Sequence, residues 1–131
     1  MTWRFEPIKG KTAEIVETIM NSQDMPDDPG LQFKLRLCIE EVVENIFSYA
    51  YSDGEGPMEV GITSTDGEIS VCFKDEGIQF DPLAKPDPDI TLSAEDRPIG
   101  GLGIFLCKQM MDDVRYSYEG GHNLLSLIKN L

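Results

Sequence analysis

On either side of Asp66-Gly67 the chain alternates apolar and polar residues, through MEVGITSTDGEISVCFKD at positions 58 to 75. Period-2 alternation around an Asp-Gly pair is the strongest short-range hairpin signal and predicts two antiparallel strands. Each strand then owns one apolar face, and another layer of the chain has to cover it. VRYSYEGGHNLLSLIKNL, from residue 114, predicts a second hairpin at the end of the sequence.

The cover is written in the other periodicity. Residues 31 to 51 carry apolar side chains at 31, 35, 38, 39, 42, 46 and 49, which predicts a long amphipathic helix. KTAEIVETIMNS places Ile15, Val16, Ile19 and Met20 at helical spacing, and GGLGIFLCKQMMDD opens on glycines and continues as a helix. TWRFE reads as a short edge strand, and QDMPDDPG and SDGEGP break the chain around the long helix. The resulting order, strand, helix, helix, strand, strand, loop, helix, strand, strand, keeps hairpins apart from helices. It predicts an α+β fold, a two-layer α/β sandwich, and not a run of βαβ units. Residues 81 to 99, DPLAKPDPDITLSAEDRPI, are rich in Pro and Asp without periodicity. They read as a mobile loop long enough to fold over a ligand.

Bulk properties narrow the function. With 131 residues, 40% of them hydrophobic, one domain spanning 1–131 with a single core is expected. Eleven basic against 24 acidic residues give a net charge of −13. That field repels phosphate backbones and anionic membranes, so no direct nucleic-acid or membrane partner is expected. No apolar run approaches the roughly 20 residues needed to span a bilayer, and the N-terminus has no signal-peptide core. A cytoplasmic location is therefore expected. Cys38, Cys72 and Cys107 are widely spaced within apolar segments and read as small core residues. The single histidine, His122 in EGGHN, reads as part of a turn, which leaves little for His-based catalysis or metal binding.

Three features sit badly in a plain core. At about 100° per residue, Glu41 and Asn45 border the stripe of Cys38, Ile39, Val42 and Ile46, whereas Glu40 and Glu44 fall nearly opposite it. Arg36 is set four residues before Glu40, as for an exposed pair on one helix face. A carboxylate and an amide at a core border need partners; solvent is one candidate and a ligand another. In EISVCFKDEG, Asp75 shares a strand face with Ile69, Val71 and Phe73. An ionised Asp75 there needs donors, either an exocyclic amine or the backbone of the following turn, and Gly77 allows close backbone approach or simply makes that turn. Gly100, Gly101 and Gly103 precede a helix whose first N–H groups can hold phosphate, or they form only a flexible hinge. Walker A and complete GxGxxG patterns are absent. Together the three offer an oxygen for magnesium, an acid for a base amine and amides for phosphates, the needs of a nucleoside triphosphate.

In this combination the sequence resembles the anti-sigma regulatory factors of the serine-protein kinase type, within the GHKL or Bergerat-fold ATPase superfamily. EEVVEN resembles the N box, DEGIQFDP the first glycine box, and RPIGGLGIFLCKQMMDDVRY the second glycine box with the helix and strand after it. The resemblance covers nearly the whole chain and implies a mixed, mostly antiparallel sheet with helices on one face, and an ATP lid over 83–99. It further implies ATP and Mg²⁺ as cofactors, with Asn45 on the metal, Asp75 on the adenine amine and Gly77 and Phe80 at the base pocket. Gly100, Gly101, Leu102 and Gly103 would lie at the phosphates, and Arg97 would reach the γ-phosphate from the lid. Glu41 would be the general base that takes a proton from a protein serine. The implied partners are a sigma factor and a STAS-type anti-anti-sigma antagonist, with a homodimer possible. Two departures stand out: Gln79 occupies a position where the wider superfamily often has glycine, and Asn123 one where many relatives outside this family have a threonine that helps hold the adenine-binding Asp.

A nucleotide-gated binding module that transfers no phosphoryl group is the alternative from another class. A sensor histidine kinase fits less well, since no phosphoacceptor helix precedes the domain in these 131 residues. A Ca²⁺ loop in DPDITLSAED does not meet the EF-hand pattern.

Overall fold

The computed structural model describes residues 1–6, 10–51, 55–83 and 102–131. Along the chain come β1 (Thr2–Phe5), α1 (Thr12–Met20), α2 (Pro29–Asn45) with a π-helical turn (Ile46–Ala50), β2 (Met58–Ser64) and β3 (Glu68–Asp75). After these follow α3 (Leu102–Met110), β4 (Asp113–Glu119) and β5 (His122–Asn130). The strands form one sheet in the order β1-β2-β3-β5-β4. Where a mixed sheet is implied by the resemblance, all pairings among the described strands are antiparallel. The reason is that β2-β3 and β4-β5 are direct hairpins and β5 returns beside β3 in the opposite direction, whereas a parallel pair needs a crossover between neighbours.

Register turns the alternation into a core. Val60 faces Phe73, which faces Leu125, and Ile62 faces Val71, which faces Leu127. These residues are buried beneath Ile15, Val16 and Ile19 of α1 and Leu35, Cys38, Ile39, Val42 and Val43 of α2, all in one cluster. Each fully buried aliphatic or aromatic side chain of this kind contributes about 1.5–3 kcal/mol relative to exposure. The next row on the same sheet face joins Met58, Asp75 and Asn123, so the register carries two polar residues into the end of the core.

The helix starts and turns follow local chemistry. Asp28 caps α2 by accepting from Gly30 N (3.0 Å) and Leu31 N (3.2 Å), with Pro29 at the first helical position. The helix therefore begins two residues before the apolar periodicity does, because Pro and Gly are silent in that pattern. The last hairpin turns on Gly120 (φ 59) and Gly121 (φ 82), the two positive-φ positions of a type I′ turn. His122 is the first residue of β5, opposite Glu119, where the sequence suggests a turn residue. The Asp66-Gly67 hairpin closes instead through Thr65 N donating to Glu68 O (2.9 Å), without a positive φ at Gly67. Arg36 does not pair along α2 with Glu40 as expected but crosses to Glu17 of α1, an exposed ion pair of small energetic value. Among the described residues no helix is long and apolar enough to cross a membrane.

Candidate functional site

Asn123 uses every hydrogen-bonding position of its amide. Its Nδ2 donates to Asp75 Oδ1 (2.9 Å) and to the Ile78 carbonyl (2.7 Å), and its Oδ1 accepts from Phe80 N (3.0 Å) and Tyr116 Oη (2.5 Å). One buried side chain thus joins β3, the loop after it and β4. Asp75 Oδ1 also accepts from Gly77 N (2.9 Å). Among the described residues both bonds to Asp75 fall on Oδ1, which leaves acceptor capacity on Oδ2. Burial raises the Asp75 pKa, opposed by the bonds from Asn123 and Gly77 and by the nearby His122. His122 also stands 3.6 Å from Glu76.

Asp75 and Asn123 form the polar end of a small pocket between the last turns of α2 and the sheet. Val42, Ile46, Ala50 and Leu125 give it apolar walls, Phe80, Pro82 and Tyr116 close its sides, and Asn45 lines it from the end of α2. Phe80 stacks on Tyr49 of the π-helical turn, with ring centroids 5.0 Å apart and planes at 19°. Apolar walls with one carboxylate at the end match the chemistry of a base ring that carries an exocyclic amine. The carbonyl oxygen of Asn45 is a hard donor of the sort magnesium takes alongside phosphate oxygens and water.

The π-helical turn explains Gly77. Its extra residue per turn delivers the Ala50 carbonyl to Ile78 N at 2.8 Å, and a Cβ on Gly77 would stand 2.3 Å from that oxygen. The Ala50 backbone thus occupies the space that a side chain at position 77 would need. Tyr51 supports the same corner, accepting from Glu76 N (2.8 Å) and donating to Pro57 O (2.5 Å). Because neither backbone can retreat cheaply, Gly77→Ala is expected to destabilise the fold by about 1–3 kcal/mol, the range for overpacked sites. A chemical denaturation midpoint unchanged from wild type would contradict this.

Glu41 lies one turn before Asn45 on α2, half-buried, with its pKa raised by burial and by Glu40 and Glu44. It packs against the first turn of α3: a Cβ on Gly103 would come within 1.9 Å of Glu41 Oε2. Only glycine lets the helix start approach the carboxylate so closely. The amide, the acid and the described part of the glycine-rich helix start therefore meet around one end of α2. Leu102 opens α3, and Arg97, Gly100, Gly101 and lid residues 84–99 lie outside the described residues. Tyr116, Tyr49 and Tyr51 carry no signal in the sequence, since a tyrosine in an alternating strand or at a helix end reads as ordinary packing.

A family model described as a histidine kinase-like ATPase domain matches residues 11–129. The chain belongs to this family. As a histidine kinase-like ATPase domain it is an ATP-binding unit, in agreement with the resemblance carried by its boxes. It is 33% identical over 99 residues to the serine/threonine-protein kinase BtrW of Bordetella bronchiseptica, 74% of this chain and 69% of that protein. It is 27% identical over 95 residues to the serine-protein kinase RsbW of Bacillus cereus, 70% of this chain and 59% of that protein. The crystal structure of the RsbU and RsbW domains of Rv1364c from Mycobacterium tuberculosis shares the fold. It superposes with a TM-score of 0.58 and 15% identity over 98% of this chain and 32% of that one.

Proposed function

We propose that this ATPase domain is a partner-switching protein serine kinase that sequesters a sigma factor and phosphorylates a STAS-type anti-anti-sigma antagonist. The observation that carries the reading is Glu41, a half-buried carboxylate of raised pKa seated between Asn45 and the start of α3. The similarity to proteins named serine kinases supports it. In the proposed reaction Glu41 takes the proton of a partner serine while the serine oxygen bonds to the γ-phosphorus and the bond to the ADP oxygen breaks. Asp75 orients the base through its exocyclic amine, and Phe80 and the apolar walls exclude water around the ring. Asn45 would hold Mg²⁺, which when bound neutralises phosphate charge. Positioning and charge neutralisation supply most of the acceleration in such transfers, so this sparse set of groups suffices.

Incubation with ATP, Mg²⁺ and a candidate antagonist tests the reading, with phosphoserine in the antagonist as the expected product. ATP binding without transfer would favour the nucleotide-gated module instead. Two variants test the pocket. Asp75→Asn keeps an oxygen for Asn123 and Gly77 but can present an N–H to the base amine, so ATP affinity is expected to fall about 10–100-fold while stability holds or rises slightly. Titration calorimetry together with a melting curve checks both halves. Asn45→Ala is expected to abolish the Mg²⁺-dependent part of ATP affinity and leave Mg²⁺-independent binding; equal metal dependence in both proteins would remove Asn45 from that role.

A further inference from the structure

Consecutive residues of the chain at the end of the π-helical turn hold alternate residues of the loop after β3. The Tyr51 hydroxyl accepts from Glu76 N at 2.8 Å, and the Ala50 carbonyl accepts from Ile78 N at 2.8 Å. The Tyr49 ring stacks on Phe80, with centroids 5.0 Å apart and planes at 19°. The first two contacts fix backbone, whereas the third fixes a side chain, the one that closes the pocket beside Asp75. Single π-helical turns within helices are frequent at functional sites, and here the residues that it presents are those that hold the loop.

The backbone and the ring of Phe80 are set by different groups. Its N–H donates to Asn123 Oδ1 at 3.0 Å, a bond that places the backbone but does not choose a rotamer. Both Phe80 and Tyr49 are half-buried, so core packing does not enclose either ring completely. The nearly parallel stack favours the rotamer in which Phe80 walls the pocket. Tyr49 itself does not line that pocket. It follows Asn45 by four residues, as Asn45 follows Glu41, so the end of α2 carries an aromatic support, an amide and a carboxylate in sequence.

We propose that Tyr49 is a positioning residue for base recognition, which holds the Phe80 ring in place as a wall of the base site and thereby sets the affinity for the adenine end of ATP. The proposal rests on the reading of Asp75 and Phe80 as the base pocket. Without the Tyr49 ring, Phe80 samples other rotamers in the empty protein, and binding the nucleotide has to order it again. Preorganisation of this kind raises affinity without adding a contact to the ligand. The base does not react and meets the same wall before and during transfer. Losing Tyr49 therefore raises KM for ATP and leaves kcat unchanged.

The test is a double-mutant cycle on the full chain, read by calorimetric titration with Mg-ATP. Tyr49→Leu and Phe80→Leu are each expected to weaken binding about tenfold, and the double variant also about tenfold rather than a hundredfold, because Tyr49 acts through Phe80. Tyr49→Phe, which keeps the ring, is expected to stay within about twofold of wild type. Melting curves show that each protein is folded at the titration temperature; Tyr49→Met takes the place of Tyr49→Leu in the cycle if the leucine protein is not. Additive losses overturn the proposal, as do wild-type affinity in folded Tyr49→Leu and equal losses in Tyr49→Phe and Tyr49→Leu. A fall in kcat at saturating ATP with KM unchanged overturns it too. Unchanged ATP affinity in Asp75→Asn and Phe80→Leu together removes the base-pocket reading and this inference with it, whereas a loss in those two and none in Tyr49→Leu removes the inference alone.

Discussion

Glu41→Gln is expected to keep ATP affinity within about twofold and to lose phosphoryl transfer by about 10²–10⁴-fold, the range of a general base. The isosteric amide still fits against Gly103 but takes no proton. Stability separates this outcome from simple damage. The folded-state pKa of Glu41 is raised by burial and by two neighbouring carboxylates, so its ionised form costs stability at neutral pH. That cost fades as pH falls and the side chain protonates. At neutral pH the glutamine variant is therefore expected to melt at the same temperature as wild type or slightly higher. Wild-type transfer, in contrast, is expected to decline on acidification through a pKa above the usual glutamate value. A glutamine variant with full transfer activity would remove Glu41 from the chemistry.

Asn123→Ala is expected to be the most damaging single change in the pocket for the fold itself. It deletes all four hydrogen bonds of the amide and leaves Asp75 with Gly77 N alone among the described residues. Leaving buried polar groups unpaired costs about 1–3 kcal/mol each where water cannot enter, so a loss of about 3 kcal/mol is expected, a drop of about 10 °C in melting temperature. ATP affinity should fall with it, because the loop from Gly77 to Phe80 loses its anchor. Tyr116→Phe removes only one of two donors to Asn123 Oδ1 and is expected to cost about 1 kcal/mol. Equal effects of the two substitutions, measured by urea denaturation, would contradict the hub role of Asn123.

Much of this protein was legible because its elements announce themselves locally. Alternation on both sides of Asp66-Gly67 placed β2 and β3, and the 3.6-residue period placed α1 and α2. The apolar repeat starts two residues after α2 does, because the helix start is signalled by a cap, Asp28 with Pro29. A π-helical turn leaves no mark on an apolar stripe, so periodicity does not show it at the end of α2. The Arg36 pairing is hidden for a similar reason: helical spacing sees Glu40 along the same helix but not Glu17 on a neighbouring one.

The sequence by itself determined the two hairpins, the amphipathic helices and the presence of a carboxylate, an amide and a glycine-rich helix start in an order that resembles an ATPase. Only the tertiary structure decided that Asn123 reaches across 48 residues to Asp75, that Gly103 rests on Glu41, and that Cys38 meets Cys107 across 69. The physical reason is that periodicity reports which face a residue occupies. Contacts between distant residues depend on strand register and helix packing, which arise only when those faces are buried against one another.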